Sequence, residues 1–197
     1  MILREIDQLP TDLPFVATLG VFDGMHVGHA HVLGTLLEAA AAESATPVVI
    51  TFDPHPDAIV RGHAPTLLCT LDERIDRLIA AGVGRVVVQR FDEAFRQQSA
   101  SVFLDRLRLG RQLRGLVMSP ESAFGHDREG TIDLVRRLAA EEGWRLVEIP
   151  LLEMDGHRVS SNRIRALLAD GRTQEAEQLL GRPLHASWVP ARGSHTG

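Results

Sequence analysis

Two periodicities alternate along this chain. Short apolar runs rich in β-branched residues fall at 15–21, 47–52, 85–90, 115–118 and 145–149. Each is followed by a longer stretch in which Ala and Leu recur at helical spacing, at 29–44, 71–82, 99–111, 129–143 and 160–180. Strand followed by helix, five times over, predicts an α/β fold with a doubly wound parallel sheet and right-handed crossovers. Ligands are then expected at the carboxyl ends of the strands, near the switch in strand order. With 197 residues and 44% hydrophobic content, the chain can bury one good core, so a single domain is expected.

The junction after the first strand carries the most chemistry. It reads Gly20-Val-Phe-Asp-Gly-Met-His-Val-Gly-His29 and runs straight into a helix. Free N–H groups and the positive end of the dipole favour anions at a helix start, and Gly24 and Gly28 would let a polyphosphate approach the main chain. The turn matches neither a Walker loop, since the chain contains no lysine, nor Gly-x-Gly-x-x-Gly, since its glycines stand at 20, 24 and 28. His26 and His29 can each donate a hydrogen bond to a phosphate oxygen and, when protonated, add positive charge beside a leaving pyrophosphate. Taken alone, the turn is equally an ordinary Gly-rich helix start. A metal site made of His26, His29 and Asp23 is a further option.

A second candidate lies near the other end, at Gly156-His-Arg-Val-Ser-Ser-Asn-Arg-Ile-Arg165. Ser160, Ser161 and Asn162 are residue types that cap helices, and their side chains and free N–H groups can also bind phosphate. Arg163 and Arg165 in the first turn oppose the helix dipole, which makes better sense if an anion lies between them and the backbone. The other reading is a plain cap with solvated arginines.

Together with Thr51-Phe-Asp-Pro-His-Pro56, Ser99-Ala-Ser-Val-Phe103 and Leu180-Gly-Arg-Pro183, these motifs make residues 14–184 resemble the adenylyltransferase module of bacterial bifunctional riboflavin kinase/FAD synthetase. The resemblance implies a Rossmann-like sheet of the nucleotidyltransferase type, with transfer of AMP from ATP to FMN and release of pyrophosphate. It implies roles for His26, His29, Ser160, Ser161 and Arg163 on the ATP phosphates. Gly20, Phe22, Asp23, Gly24, Gly28, His55, Phe124, Arg128, Asn162 and Arg165 are expected to bind or frame the substrates, and Mg²⁺ to accompany the ATP. Arg74 stands where similar proteins more often have lysine, and Asn162 where they have threonine. The loop Ser119-Pro-Glu-Ser-Ala-Phe-Gly125 departs from the family's Gly-x-Asp/Asn-Phe-x-Phe-Gly. Glu121 is left as the candidate Mg²⁺ ligand, and an aromatic is lost at Ser122. A binding paralogue with impaired catalysis, or an enzyme acting on another phosphorylated small molecule, therefore stays open. No kinase domain can be built from residues 184–197, so 185–197 is expected to be a tail, and a separate riboflavin kinase would supply FMN.

Composition narrows the rest. A net charge of -5 argues against a general nucleic-acid or membrane-surface binder, which leaves the local arginines for discrete anions. The lone Cys69 excludes an intrachain disulfide framework and fits a reducing cytoplasm, as a buried or half-buried thiol. No run is long and apolar enough for a signal peptide or a membrane span. The segment 61–70, with its Gly and Pro, is expected to form a mobile cover.

Overall fold

In the computed structural model, which describes residues 1–184, β2 (Pro14–Leu19) lies at the centre of a six-stranded sheet. The sheet order is β1 (Ile2–Leu3), β4 (Arg85–Arg90), β3 (Thr46–Asp53), β2, β5 (Gln112–Met118), β6 (Arg145–Glu148), and every pairing is parallel. The chain therefore winds outward from β2 in one direction through β3 and β4, then returns to β2's other edge with β5 and β6. That reversal puts the switch point between β2 and β5, where a crevice opens beyond the strand ends. The doubly wound parallel sheet expected from the alternation is present.

Alternation within each strand divides the core into two layers. Phe15 and Ala17 of β2 face one layer with Val48 and Ile50 of β3 and with Phe103, Leu104 and Leu107 of α5 (Ala100–Arg108). Val16 and Val49 face the other, against Leu33 and Leu36 of α1 (Val27–Ala42) and Ile75 and Leu78 of α3 (Leu71–Ala80). Because both sheet faces are covered, the central strands read as continuous apolar runs. α6 (Ile132–Glu142) completes the first layer through Val135 and Ala139. The helix starts are written locally: Thr70 and Glu73 form a reciprocal capping box on α3, and Ser99 caps α5.

A third cluster attaches the end of the described chain. Ile164, Leu167 and Leu168 of α7 (Ser161–Ala169) pack with Ala176, Leu179 and Leu180 of α8 (Thr173–Leu180), and Val27 and Leu68 lie against them. Burial of Leu- and Ile-sized side chains stabilises by roughly 1.5–3 kcal/mol each. That much apolar anchoring, rather than surface ion pairs, holds α7 beside the start of α1.

Five features differ from the pattern reading. The expected helix over 160–180 is two helices, because Gly171 adopts φ +73° and ends the first. A hairpin of β7 (Glu153–Met154) and β8 (His157–Arg158) precedes them, turning through Asp155 and Gly156 at positive φ. The two-residue edge strand β1 and the short helices α2 (Pro56–Val60) and α4 (Glu93–Arg96) are additional. The tail expected over 185–197 lies outside the described residues. Among the described residues, no helix is long and apolar enough to cross a membrane.

Candidate active site

The turn between β2 and α1 is built around left-handed backbone. Phe22, Gly24 and Met25 have φ of 54°, 80° and 44°, a region that costs an ordinary side chain about 1–2 kcal/mol. The tight path brings His26 to the N-cap of α1, where its Nδ1 accepts the His29 N–H at 3.2 Å. An Nδ1 that accepts leaves the proton on Nε2. Three residues apart at the helix start, the His26 and His29 rings stack with centroids 3.6 Å apart, and Phe22 packs on His29 at 4.9 Å. A Cβ on Gly28 would stand 3.1 Å from the His26 ring. The glycine therefore makes room for the imidazole.

Gly24 works differently from expectation. It faces away from the crevice: a Cβ there would come within 2.9 Å of Leu68, and its N–H donates to the Cys69 sulfur at 3.1 Å. It lets the cover segment close on the turn.

Asp23 joins the two distant motifs. Its carboxylate, 2% exposed, accepts the N–H groups of Leu68 (2.9 Å) and Cys69 (3.3 Å) and forms an ion pair with Arg165. Its main-chain oxygen accepts the Ser161 hydroxyl at 2.9 Å. Arg165 also donates to Thr66 O and Asn162 Oδ1, both at 2.7 Å. The segment over 61–70, expected as a mobile cover, is thus tied at Thr66, Leu68 and Cys69. Ser160 caps α7 by accepting the Arg163 N–H.

These groups line one crevice of about 390 Å³, with Gly20, Phe22, Asp23, His26, Gly28 and His29 on one wall and Ser160, Ser161, Asn162 and Arg165 on the other. Its size and mixed polar and apolar lining suit a small ligand. Arg163 is not part of that wall. Its guanidinium turns back to the carbonyls of Met154 (3.2 Å) and His157 (3.1 Å) and braces the β7–β8 hairpin. The hairpin contributes Arg158 instead, a crevice residue the sequence reading did not single out.

A second cavity, about 820 Å³, adjoins the first and shares Gly20, Val21, His55, Ser119, Ser122 and Arg158 with it. Its walls are aromatic: Phe52, Phe91, Phe95, Phe103 and Phe124, with successive ring centroids 4.9–6.1 Å apart. An apolar surface therefore exists although Ser122 replaces an aromatic. His55 caps α2 and lies at the seam of the two cavities.

Burial governs the charge state of the site's imidazoles. Burial, reinforced by the charges of Arg158 and Arg182, lowers the His26 pKa to about 4. Burial and the adjoining His26 hold His29 well below its usual range, and burial lowers His55 too. Both shifts favour the neutral imidazole at neutral pH. A neutral imidazole can still donate a hydrogen bond to a phosphate oxygen, one of the two roles expected of the pair. Among the described residues, no three His, Cys, Asp or Glu side chains gather as a metal site. Asp23 is spent on Arg165, and Glu121 pairs with Arg158 while Arg128 donates to its main-chain oxygen at 3.3 Å. The zinc-like option of His26, His29 and Asp23 has no free carboxylate, and Glu121 is engaged as an ion-pair partner.

A parallel sheet with a helix-start histidine pair and a capped helix facing it across the switch-point crevice defines the nucleotidyltransferase type of α/β protein. In fold, the chain is similar to pantoate-β-alanine ligase from Francisella tularensis, solved in complex with β-γ ATP and β-alanine (TM-score 0.54, 12% identity, 91% of this chain and 85% of that one). It is also similar to a Streptococcus pneumoniae structure described as a macrolide-efflux protein (TM-score 0.81, 26% identity, 93% of this chain and 60% of that one). The family model for FAD synthetase matches residues 9–163. The chain belongs to the FAD synthetase family.

Among curated relatives, it is 34% identical over 184 residues to a putative bifunctional riboflavin kinase/FMN adenylyltransferase of Geobacillus thermodenitrificans, covering 93% of this chain and 99% of that one. It is 33% identical over 169 residues to the bifunctional riboflavin kinase/FMN adenylyltransferase of Pseudomonas fluorescens, covering 85% of this chain and 54% of the relative. It thus spans about half the length of that protein.

Proposed function

We propose that this chain is an FMN adenylyltransferase, converting ATP and FMN to FAD and pyrophosphate. The observation that carries the reading is the pair of cavities meeting at Gly20 and Arg158, one polar and walled by helix starts, the other aromatic. ATP fits the first with its phosphates toward His26, His29, Ser160 and Ser161. The isoalloxazine of FMN fits the second, among Phe91, Phe95, Phe103 and Phe124. The FMN phosphate then meets the α-phosphorus at the seam.

In the reaction an FMN phosphate oxygen forms a bond to the α-phosphorus. The bond from that phosphorus to the bridging oxygen breaks, and the electron pair leaves with pyrophosphate. The nucleophile is already ionised, so no side chain need remove a proton. The protein's contribution is to align two anions that repel each other and to stabilise the charge that grows on the leaving group. The neutral imidazoles of His26, whose Nε2 carries the proton, and His29, together with the α1 and α7 starts and the Arg158 guanidinium, supply that stabilisation. Magnesium enters as the counter-ion of ATP, as part of the substrate.

Incubation with ATP, MgCl₂ and FMN, followed by chromatography, tests this: FAD and pyrophosphate should accumulate together. Riboflavin, which lacks the phosphate nucleophile, should give none. If ATP and FMN both bind by calorimetry yet no FAD forms, the chain is a binding paralogue. Transfer to a different phosphorylated acceptor would move the reading to another member of the same enzyme class.

A further inference from the structure

Arg74 is a charge without an evident partner. It sits on α3 with 2% of its surface exposed, and among the described residues no carboxylate comes within ion-pair distance of it. One guanidinium nitrogen, Nη1, donates to Thr51 Oγ1 and to Phe52 O, each at 3.1 Å, while Nε is buried with no partner. Burying a guanidinium costs several kcal/mol unless an opposite charge compensates, and an apolar residue of similar volume is often no worse for stability. The hydrogen bonds alone would be met by a neutral amide. The charge itself therefore needs an explanation.

Two observations connect it to the crevice. Thr51 Oγ1, which receives the Arg74 bond, in turn donates to Val21 O at 3.0 Å. A continuous chain thus runs from α3 through β3 to the first residues of the histidine turn. The Arg74 charge also acts on His29 and His55, both of which line the crevice. Its neighbours do not neutralise it: the Cys69 thiol shares a hydrogen bond with Arg74 but burial pushes its pKa up, away from the thiolate, and the Asp23 carboxylate is engaged by Arg165. The nearby His29 Nδ1 is likewise buried with no partner.

We propose that Arg74 is a positioning residue for the histidine turn and the fixed positive charge behind it, whose countercharge is the polyphosphate of a bound nucleotide. This rests on the nucleotide reading of the crevice. Arg74 does not line the cavity. It acts through Thr51 and Val21 on the turn's geometry, and through space on the phosphates beyond His29. The triphosphate compensates the charge that the neutral Thr51 and Phe52 acceptors leave uncompensated.

The test compares Arg74→Met and Arg74→Gln, both neutral, with Arg74→Lys, which keeps the charge. Binding of adenosine, ADP and ATP is measured by calorimetry and thermal stability by scanning. Both neutral variants should melt within a few degrees of the parent. They should bind ATP on the order of tenfold more weakly and ADP less so, with adenosine unchanged, since the interaction is with charge. Arg74→Lys should recover most of the ATP affinity. The proposal is overturned if the neutral variants bind ATP like the parent or lose adenosine and ATP by the same factor. It is equally overturned if both fail to fold while Arg74→Lys folds, or if the parent's affinity does not rise with phosphate number. FAD formation is scored separately. A parent protein that binds ATP in this charge-graded way but makes no FAD ends the transferase reading and leaves the Arg74 role standing. Normal FAD formation with intact ATP binding in Arg74→Met ends the Arg74 role alone.

Discussion

His26→Asn should remove a specific part of the protein's acid sensitivity. His26 is 5% exposed and its pKa falls to about 4 in the fold, chiefly through burial, against an ordinary value near 6.5. Between those two values the unfolded chain takes up a proton that the folded chain refuses. Stability from this group is thus fully present above about pH 6.5 and is lost as pH falls toward 4. Integrated from pH 7.5 to 5.0, a depression of that size amounts to about 2 kcal/mol. His29 shifts in the same direction and adds to the loss in the parent. Asparagine keeps an acceptor for the His29 N–H, and so keeps the α1 cap, but it does not titrate. Urea unfolding at pH 7.5 and pH 5.0 measures the effect as a difference of differences. The parent should lose about 2 kcal/mol more than His26→Asn, a midpoint separation of roughly 1 M for an m-value near 2 kcal/mol/M. Parallel losses in the two proteins would refute the argument that the crevice keeps this imidazole neutral.

Two further substitutions probe the joints of the site. Asp23→Asn keeps the acceptor for Leu68 and Cys69 but strands the largely buried Arg165; a loss of about 3 kcal/mol, or roughly 6–12 °C in melting temperature, is expected, and a shift under about 2 °C by scanning calorimetry would contradict it. Gly24→Ala combines a left-handed φ with a 2.9 Å approach to Leu68 and should cost about 2–4 kcal/mol in urea unfolding. Gly62→Ala, with φ +77° and open space around it, should cost only about 1 kcal/mol, and equal losses at the two positions would remove the role of the Leu68 contact.

The sheet was legible because its central strands are buried on both faces: runs such as Val48-Val-Ile50 and Val86-Val-Val88 have no polar side to confuse the period. What the pattern missed was short or turn-encoded. β1 has two residues and no period to detect. The break between α7 and α8 and the β7–β8 hairpin were both written in the sequence, as Asp170-Gly171 and Asp155-Gly156. Asp-Gly marks a helix stop in one context and a tight hairpin in the other. The aromatic cavity was not readable, because Phe52, Phe91, Phe95, Phe103 and Phe124 come from five different segments that only the fold brings together.

Helical geometry explains which of the expected residues the fold brings to the crevice and which it does not. His26 and His29 are three apart at the start of α1, so their rings lie one over the other. On α7, Ser161, Asn162 and Arg165 are related by three and four residues and share the face toward the crevice, while Arg163, two residues from Arg165, is about 200° away around the axis. A single helix cannot aim both arginines at one phosphate, whatever their charge. Arg163 is left to hold the hairpin, and the hairpin presents Arg158 to the crevice. Exchanging the roles of Arg163 and Arg158 therefore required no more than counting residues along α7 and reading Asp155-Gly156 as a turn. The partner of Arg158 is a different matter: that Glu121 reaches it across the seam depends on how the loop after β5 is anchored by Arg128, a long-range fact no local pattern encodes.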